Sequence, residues 1–143
     1  MIPSLITGGA HSDNRGQLKY NNTFNLSQVK RMYSIIINNK FNIRRWQGHK
    51  IEQRWFTAIS GSFNIKLILV DNWIEPNSNL NIINFQLSSD SLDILHIPAG
   101  YVTSIEANLD NSILLVMSDY SFNEINDEYR FPENYFKNKQ IRL

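Results

Sequence analysis

Hydrophobic and polar positions along this chain alternate in short runs separated by turn-forming clusters, and few segments repeat apolar residues at helical spacing. The run from Val29 to Ile37 places Val29, Arg31, Tyr33, Ile35 and Ile37 on one side of an extended strand. Asn38-Asn39-Lys40 is a turn. From His49 to Ile59 the same period puts His49, Ile51, Gln53, Trp55, Thr57 and Ile59 on one face and Lys50, Glu52, Arg54, Phe56 and Ala58 on the other. Neither face is cleanly polar, so this strand is expected to be curved or covered on both sides.

Ser60-Gly61-Ser62 predicts a hairpin turn into a neighbouring strand, Phe63 to Val70, with Phe63, Ile65, Leu67 and Leu69 on one side. Residues 71–81 are polar and loop-like. Ile82–Leu87 and Asp93–Ile97 follow as short strands, and Pro98-Ala99-Gly100 as a tight turn. Tyr101–Ala107 and Ser112–Ser118 suggest another hairpin. Earlier, Gly8-Gly9 and Asp13-Asn14-Arg15-Gly16 punctuate a turn-rich start before a brief strand at Gln17–Tyr20, and after Asp119 strand character disappears. That tail is expected to be irregular, with short helical turns held down by Tyr129, Phe131, Tyr135 and Phe136. Many short strands with close turns indicate an all-β sandwich or barrel.

The 143 residues, 42% of them hydrophobic, suffice for one core, and a single domain over 1–143 is expected. A formal charge of +1 gives no global field to attract nucleic acid or an anionic membrane. Cysteine is absent, which removes disulfides and thiolate zinc sites and suits a reducing compartment. With no signal-peptide pattern and no apolar run of spanning length, the expectation is a soluble cytoplasmic protein.

Polar chemistry concentrates in Arg44-Arg45-Trp46-Gln47-Gly48-His49-Lys50, which packs three cations, an indole, an amide and an imidazole into seven residues. In an extended segment Arg44 and Arg45 face opposite ways, so at least one is solvated. Trp46 and Trp55 are expected to be packing residues, because large aromatics supply much of a small core. The local basic patch with two indoles also admits single-stranded nucleic acid, but the rest of the chain supplies no basic stripe, and a nucleic-acid partner is not expected.

Several ordered fragments resemble the WxcM-like cupins, which include the dTDP-4-keto-6-deoxyhexose 3,4-ketoisomerases and are related to dTDP-sugar 3,5-epimerases. They are Asp13 through Leu18, Val29-Lys30-Arg31-Met32-Tyr33, Arg44 through Lys50, Ser60-Gly61-Ser62, Ile97-Pro98-Ala99-Gly100, and Ser118-Asp119-Tyr120 followed by Glu128-Tyr129-Arg130. The resemblance implies a double-sheet jelly-roll barrel, a homodimer, a nucleotide-linked deoxysugar as ligand, and isomerisation or epimerisation through an enediolate without a cofactor. Two departures stand out. Family isomerases carry an Arg-Gly-x-His-x-His-Lys pattern, and the first histidine is here Gln47; after the Pro98 turn, relatives place a histidine where this chain has Val102-Thr103-Ser104.

Such chemistry needs a base near its working pH, an acid, and donors where the oxyanion develops. His49 is the expected base and Tyr33 the expected acid or donor. Arg31 and Arg44 are expected to hold the diphosphate or the enediolate, because a guanidinium fork matches phosphate oxygens. Gln47, Gln53, Tyr101 and Thr103 complete the expected substrate-contacting set. The alternative is a non-catalytic cupin that binds a nucleotide sugar or serves a polysaccharide-biosynthesis pathway, favoured by Gln47 and Thr103. His11, His49 and His96 raise the question of a metal, but Gln47 and Gln53 stand where a metal-binding cupin has its other ligands, and amides are poor ligands there; none is expected.

Overall fold

The computed structural model describes residues 1–137; the last part of the tail read above, residues 138–143, lies outside the described residues. Twelve strands follow one another: β1 Ser4–Ile6, β2 Gly9–Asp13, β3 Gly16–Tyr20, β4 Arg31–Ile37, β5 Arg44–His49, β6 Arg54–Ser60, β7 Ser62–Leu69, β8 Ile83–Ser88, β9 Ile94–Ile97, β10 Tyr101–Ala107, β11 Ser112–Ser118 and β12 Tyr129–Arg130. One sheet has the order β1-β9-β6-β11-β4 and the other β12-β5-β10-β7-β8, while β2 and β3 form a separate hairpin. Every pairing is antiparallel. Two facing sheets of this kind make a jelly-roll barrel.

Alternation along the strands sends one set of side chains between the sheets. Phe63, Ile65 and Leu67 of β7 are fully buried there against Leu87, Leu95, Leu114 and Val116. Burying each such side chain stabilises the fold by roughly 1.5–3 kcal/mol. The outer faces are covered in part. Trp46, Ile68, Val102 and Phe136 form a second cluster outside the β5-containing sheet, under the 71–82 loop and the tail, and Trp55, Ile94 and Met117 form a third outside the opposite sheet. Both indoles are therefore packing residues, 3% and 4% exposed.

Three sequence expectations need correction. The strand read over His49–Ile59 is two: β5 ends at His49, residues 50–53 bend, and β6 begins at Arg54 in the opposite sheet. The expected hairpin partners β6 and β7 are not neighbours, and neither are β10 and β11; each connection carries the chain from one sheet to the other. Apolar alternation cannot distinguish the two cases, because strands facing one core across a barrel show the same pattern as strands paired side by side. Gly61 makes the first of these corners at φ 75°, where an added Cβ would lie 2.1 Å from the Ser112 hydroxyl. Finally, the tail contains a strand and no helix among the described residues: β12 pairs with β5, setting Tyr129 opposite Gly48 and Arg130 opposite Gln47.

Candidate functional site

β4 is the edge of one sheet and β12 with β5 the edge of the other. Between these edges lies a cavity of about 590 Å³, lined by Arg31, Tyr33, Gln47, His49, Glu52 and Arg54 and roofed by the 122–128 segment. Each strand delivers its side chains by alternation. Arg31 and Tyr33 share a face of β4, as read from the sequence, and Gln47 and His49 share a face of β5.

His49 is buried at the end of β5, where its Nδ1 lies 3.0 Å from the main-chain oxygen of Asp127 and 3.1 Å from Glu52 Oε2. Both neighbours only accept hydrogen bonds, so Nδ1 carries the proton and Nε2 keeps the lone pair. Burial, and next the Arg54 guanidinium, push the imidazole below its ordinary 6.5, which keeps it neutral near pH 7. Neutral imidazole is the form that accepts a proton.

The bend after His49 is held by Asp127, whose carboxylate accepts from the main-chain N–H groups of Lys50, Ile51 and Glu52 at 3.0, 2.8 and 2.8 Å. That bend turns Glu52 into the cavity, contrary to the strand alternation that had placed it on the far face from His49. Glu52 Oε2 accepts from Arg54 Nη2 at 2.7 Å, and Oε1 accepts from the Ser118 hydroxyl at 3.2 Å. Arg54 Nη1 also donates to the Tyr33 hydroxyl oxygen at 2.9 Å. Arg31 stands apart from this network. Its guanidinium lies 5.5 Å from the Tyr33 ring centre and 5.8 Å from that of Phe122, and its Nε is buried without an acceptor.

The cavity thus gathers four residues expected from the sequence: Arg31, Tyr33, Gln47 and His49. Gln47 is occupied, its amide donating to Glu128 Oε1 at 2.5 Å. Four others go elsewhere. Arg44 is exposed beside a second depression of about 420 Å³, next to Arg45 and Arg130. Thr103 borders the same depression and donates to the Gln47 main-chain oxygen at 3.3 Å. Tyr101, directly opposite His49 in register, is packed into the central core, where burial holds its phenol above 10. Gln53 leaves the cavity because the 50–53 bend breaks the alternation: its amide bonds His96 at 2.7 Å and Asp119 at 3.2 Å, with His96 stacked on Trp55.

Glu52, Arg54 and Asp127 were not found from the sequence. The donors of His49, Glu52 and Asp127 lie within 4.8 Å of one another, a grouping of metal-ligand type. They do not fit a metal. Asp127's carboxylate already accepts from three amides, His49 Nδ1 points its proton at two acceptors, and Arg54 places a cation 2.7 Å from Glu52.

The two-sheet antiparallel barrel, with polar side chains converging between its edges, is a jelly roll of the cupin type. No protein-family model and no curated protein matches the chain. Among solved structures it is similar to a 3,4-ketoisomerase from Helicobacter canadensis (23% identity, TM-score 0.70, 95% of this chain and 96% of that one) and a dTDP sugar isomerase from Desulfovibrio desulfuricans (16%, 0.72, 94% and 87%). A dTDP-4-dehydrorhamnose 3,5-epimerase from Bacillus anthracis, with TDP and PPi bound, also matches (14%, 0.72, 92% and 79%). The fold is that of the dTDP-sugar isomerases and epimerases.

Proposed function

We propose that this protein is a nucleotide-sugar isomerase or epimerase acting on a dTDP-4-keto-6-deoxyhexose-type substrate through an enediolate. The observation that carries the reading is His49: a buried neutral imidazole whose Nδ1–H is bonded behind it, in the same cavity as the Tyr33 phenol and Arg31, which has no acidic partner among the described residues. In this reading His49 Nε2 removes the proton on carbon next to the ketone. The C–H electron pair becomes the enediolate π bond, and the carbonyl pair moves onto oxygen, where Tyr33 donates. Arg31, lying against two rings and without a carboxylate partner among the described residues, suits the diphosphate. No step needs a cofactor. The solved relatives whose bound ligands include TDP or TDP-4-keto-6-deoxyglucose support the substrate class.

We further propose one cupin domain that works as a homodimer in the cytoplasm. The outer face of the β6–β11–β4 sheet presents Met32, Ile36 and Ile59 at 69%, 59% and 45% exposure, an apolar surface suited to a second copy. Among the described residues no helix is long and apolar enough to cross a membrane.

A non-catalytic nucleotide-sugar binder, serving polysaccharide biosynthesis, is the second reading. It is favoured by Gln47, which is tied to Glu128 where the resembled isomerases have a histidine. Deuterium wash-in separates the two. Wild type incubated in heavy water with dTDP-4-keto sugars is expected to incorporate deuterium next to the ketone, and His49→Asn to bind without exchanging. Binding without exchange by both proteins selects the binder.

A further inference from the structure

Arg54 touches every proton-handling group in the cavity. One guanidinium nitrogen donates to the Tyr33 oxygen at 2.9 Å; the other donates to Glu52 at 2.7 Å and stands 3.4 Å from His49 Nδ1. The residue is 4% exposed and its Nε is buried without an acceptor, an arrangement that packing alone does not favour.

We propose that Arg54 is a positioning residue that fixes opposite proton roles for the two groups it bridges, making His49 the acceptor and Tyr33 the donor; this rests on the isomerase or epimerase reading of the cavity. The argument is one of hydrogen-bond direction. A guanidinium only donates. Because Arg54 donates to the phenol oxygen, the Tyr33 proton points away from it, and Tyr33 is 39% exposed and lines the cavity. A phenolate left after donation remains bonded to a fixed cation. On the other side, Arg54 holds Glu52 so that its carboxylate oxygen meets His49 Nδ1, and a positive charge this close opposes early protonation of the ring. When His49 takes the substrate proton, Glu52 receives the imidazolium at 3.1 Å.

The charged groups facing His49 come from three elements: Glu52 in the bend, Arg54 on β6 and Asp127 on the tail segment. Glu52 and Asp127 pull its affinity for protons up. Arg54 is the charged neighbour that pulls it down, alongside burial.

The test begins with the ligand-free protein, so that it does not depend on turnover. Nitrogen NMR of His49 across pH is expected to show the Nδ1-protonated neutral ring in wild type. In Arg54→Gln the titration midpoint should rise by on the order of one pH unit, and in Arg54→Lys it should stay near wild type. Arg54→Lys keeps the charge, but a single ammonium cannot span Tyr33 and Glu52 as a planar fork does. With a dTDP-4-keto sugar, that variant is expected to lose kcat tenfold or more at unchanged KM, and Tyr33→Phe in the Arg54→Lys background should add little. Should Arg54→Gln leave Glu52 unpaired and fail to fold, Glu52→Gln/Arg54→Gln removes both charges together and should show the same kcat loss. An Nε2-protonated ring in wild type, an unmoved midpoint in Arg54→Gln, or full kcat in Arg54→Lys overturns the proposal. The expected NMR behaviour without any turnover would instead remove the isomerase or epimerase reading and leave Arg54's hold on His49 intact.

Discussion

Replacing Asp127 by alanine tests the claim that a residue in the irregular tail builds the site. The carboxylate receives three main-chain N–H groups, those of Lys50, Ile51 and Glu52, and is itself 4% exposed. A hydrogen bond to a charged group contributes about 1.5–3 kcal/mol. Lys50 and Ile51 are exposed, so water replaces part of what their amides lose, and roughly 1 kcal/mol per bond is the better figure. Asp127→Ala should therefore cost about 3 kcal/mol. At about 3 °C per kcal/mol for a chain of this size, the melting temperature falls by about 9 °C. Asp127→Asn keeps one accepting oxygen but turns an NH2 toward one of the amides, so it should recover only part of the loss. Differential scanning calorimetry at pH 7.5 reads both. The main-chain oxygen that anchors His49 survives either change, so activity should fall because the 50–53 bend loosens. If Asp127→Ala melts within about 2 °C of wild type with kcat intact, water serves those amides equally well and Asp127 does not organise the site.

Three further outcomes follow from the described contacts. His49 is held below 6.5 by burial and Arg54, so the unfolded chain binds the proton first as pH falls. The stability this histidine contributes is therefore complete above about 6.5 and lost from there down to its lowered folded value; in His49→Asn the melting temperature should lose that slope, while wild-type kcat/KM should fall only below pH 6.5. Gly61→Ala meets both a left-handed backbone at φ 75° and the Ser112 hydroxyl 2.1 Å from the new methyl, so chemical denaturation should register a loss of about 3 kcal/mol, part of it recovered in Gly61→Ala/Ser112→Ala. Arg31→Ala should weaken TDP binding roughly tenfold to a hundredfold by calorimetry, the worth of one charge-assisted contact to phosphate, with a melting temperature close to wild type.

What the sequence made legible was periodic. Phe63, Ile65 and Leu67 announced a core-facing strand, and all three are fully buried. Arg31 and Tyr33 announced a shared face and reach one cavity. Pairing was less legible, because Gly61 and the 108–111 turn look the same whether the chain folds back beside itself or crosses to the facing sheet. The candidate site divides in the same way. His49 and Tyr33 were accessible through a resemblance carried by motif order. Glu52 and Arg54 were hidden by reading an unbroken strand through residues 50–53, and Gln53 was drawn toward the cavity by that same alternation. Asp127 had no periodic signal, since its role lies in a tertiary contact with amides 75 to 77 residues away.

That separation has a consequence for the order in which the molecule matures. Strands β4 to β11 contain all the apolar pairs needed to close the barrel, yet the imidazole has no hydrogen-bond acceptor from the tail until residue 127 is laid against it. A chain made only as far as β11 already carries every residue of that central core, with Glu52 as the partner of its histidine and the tail anchor still missing. The part of the site that the tail supplies is thus the last to be synthesised, after every residue of the central core.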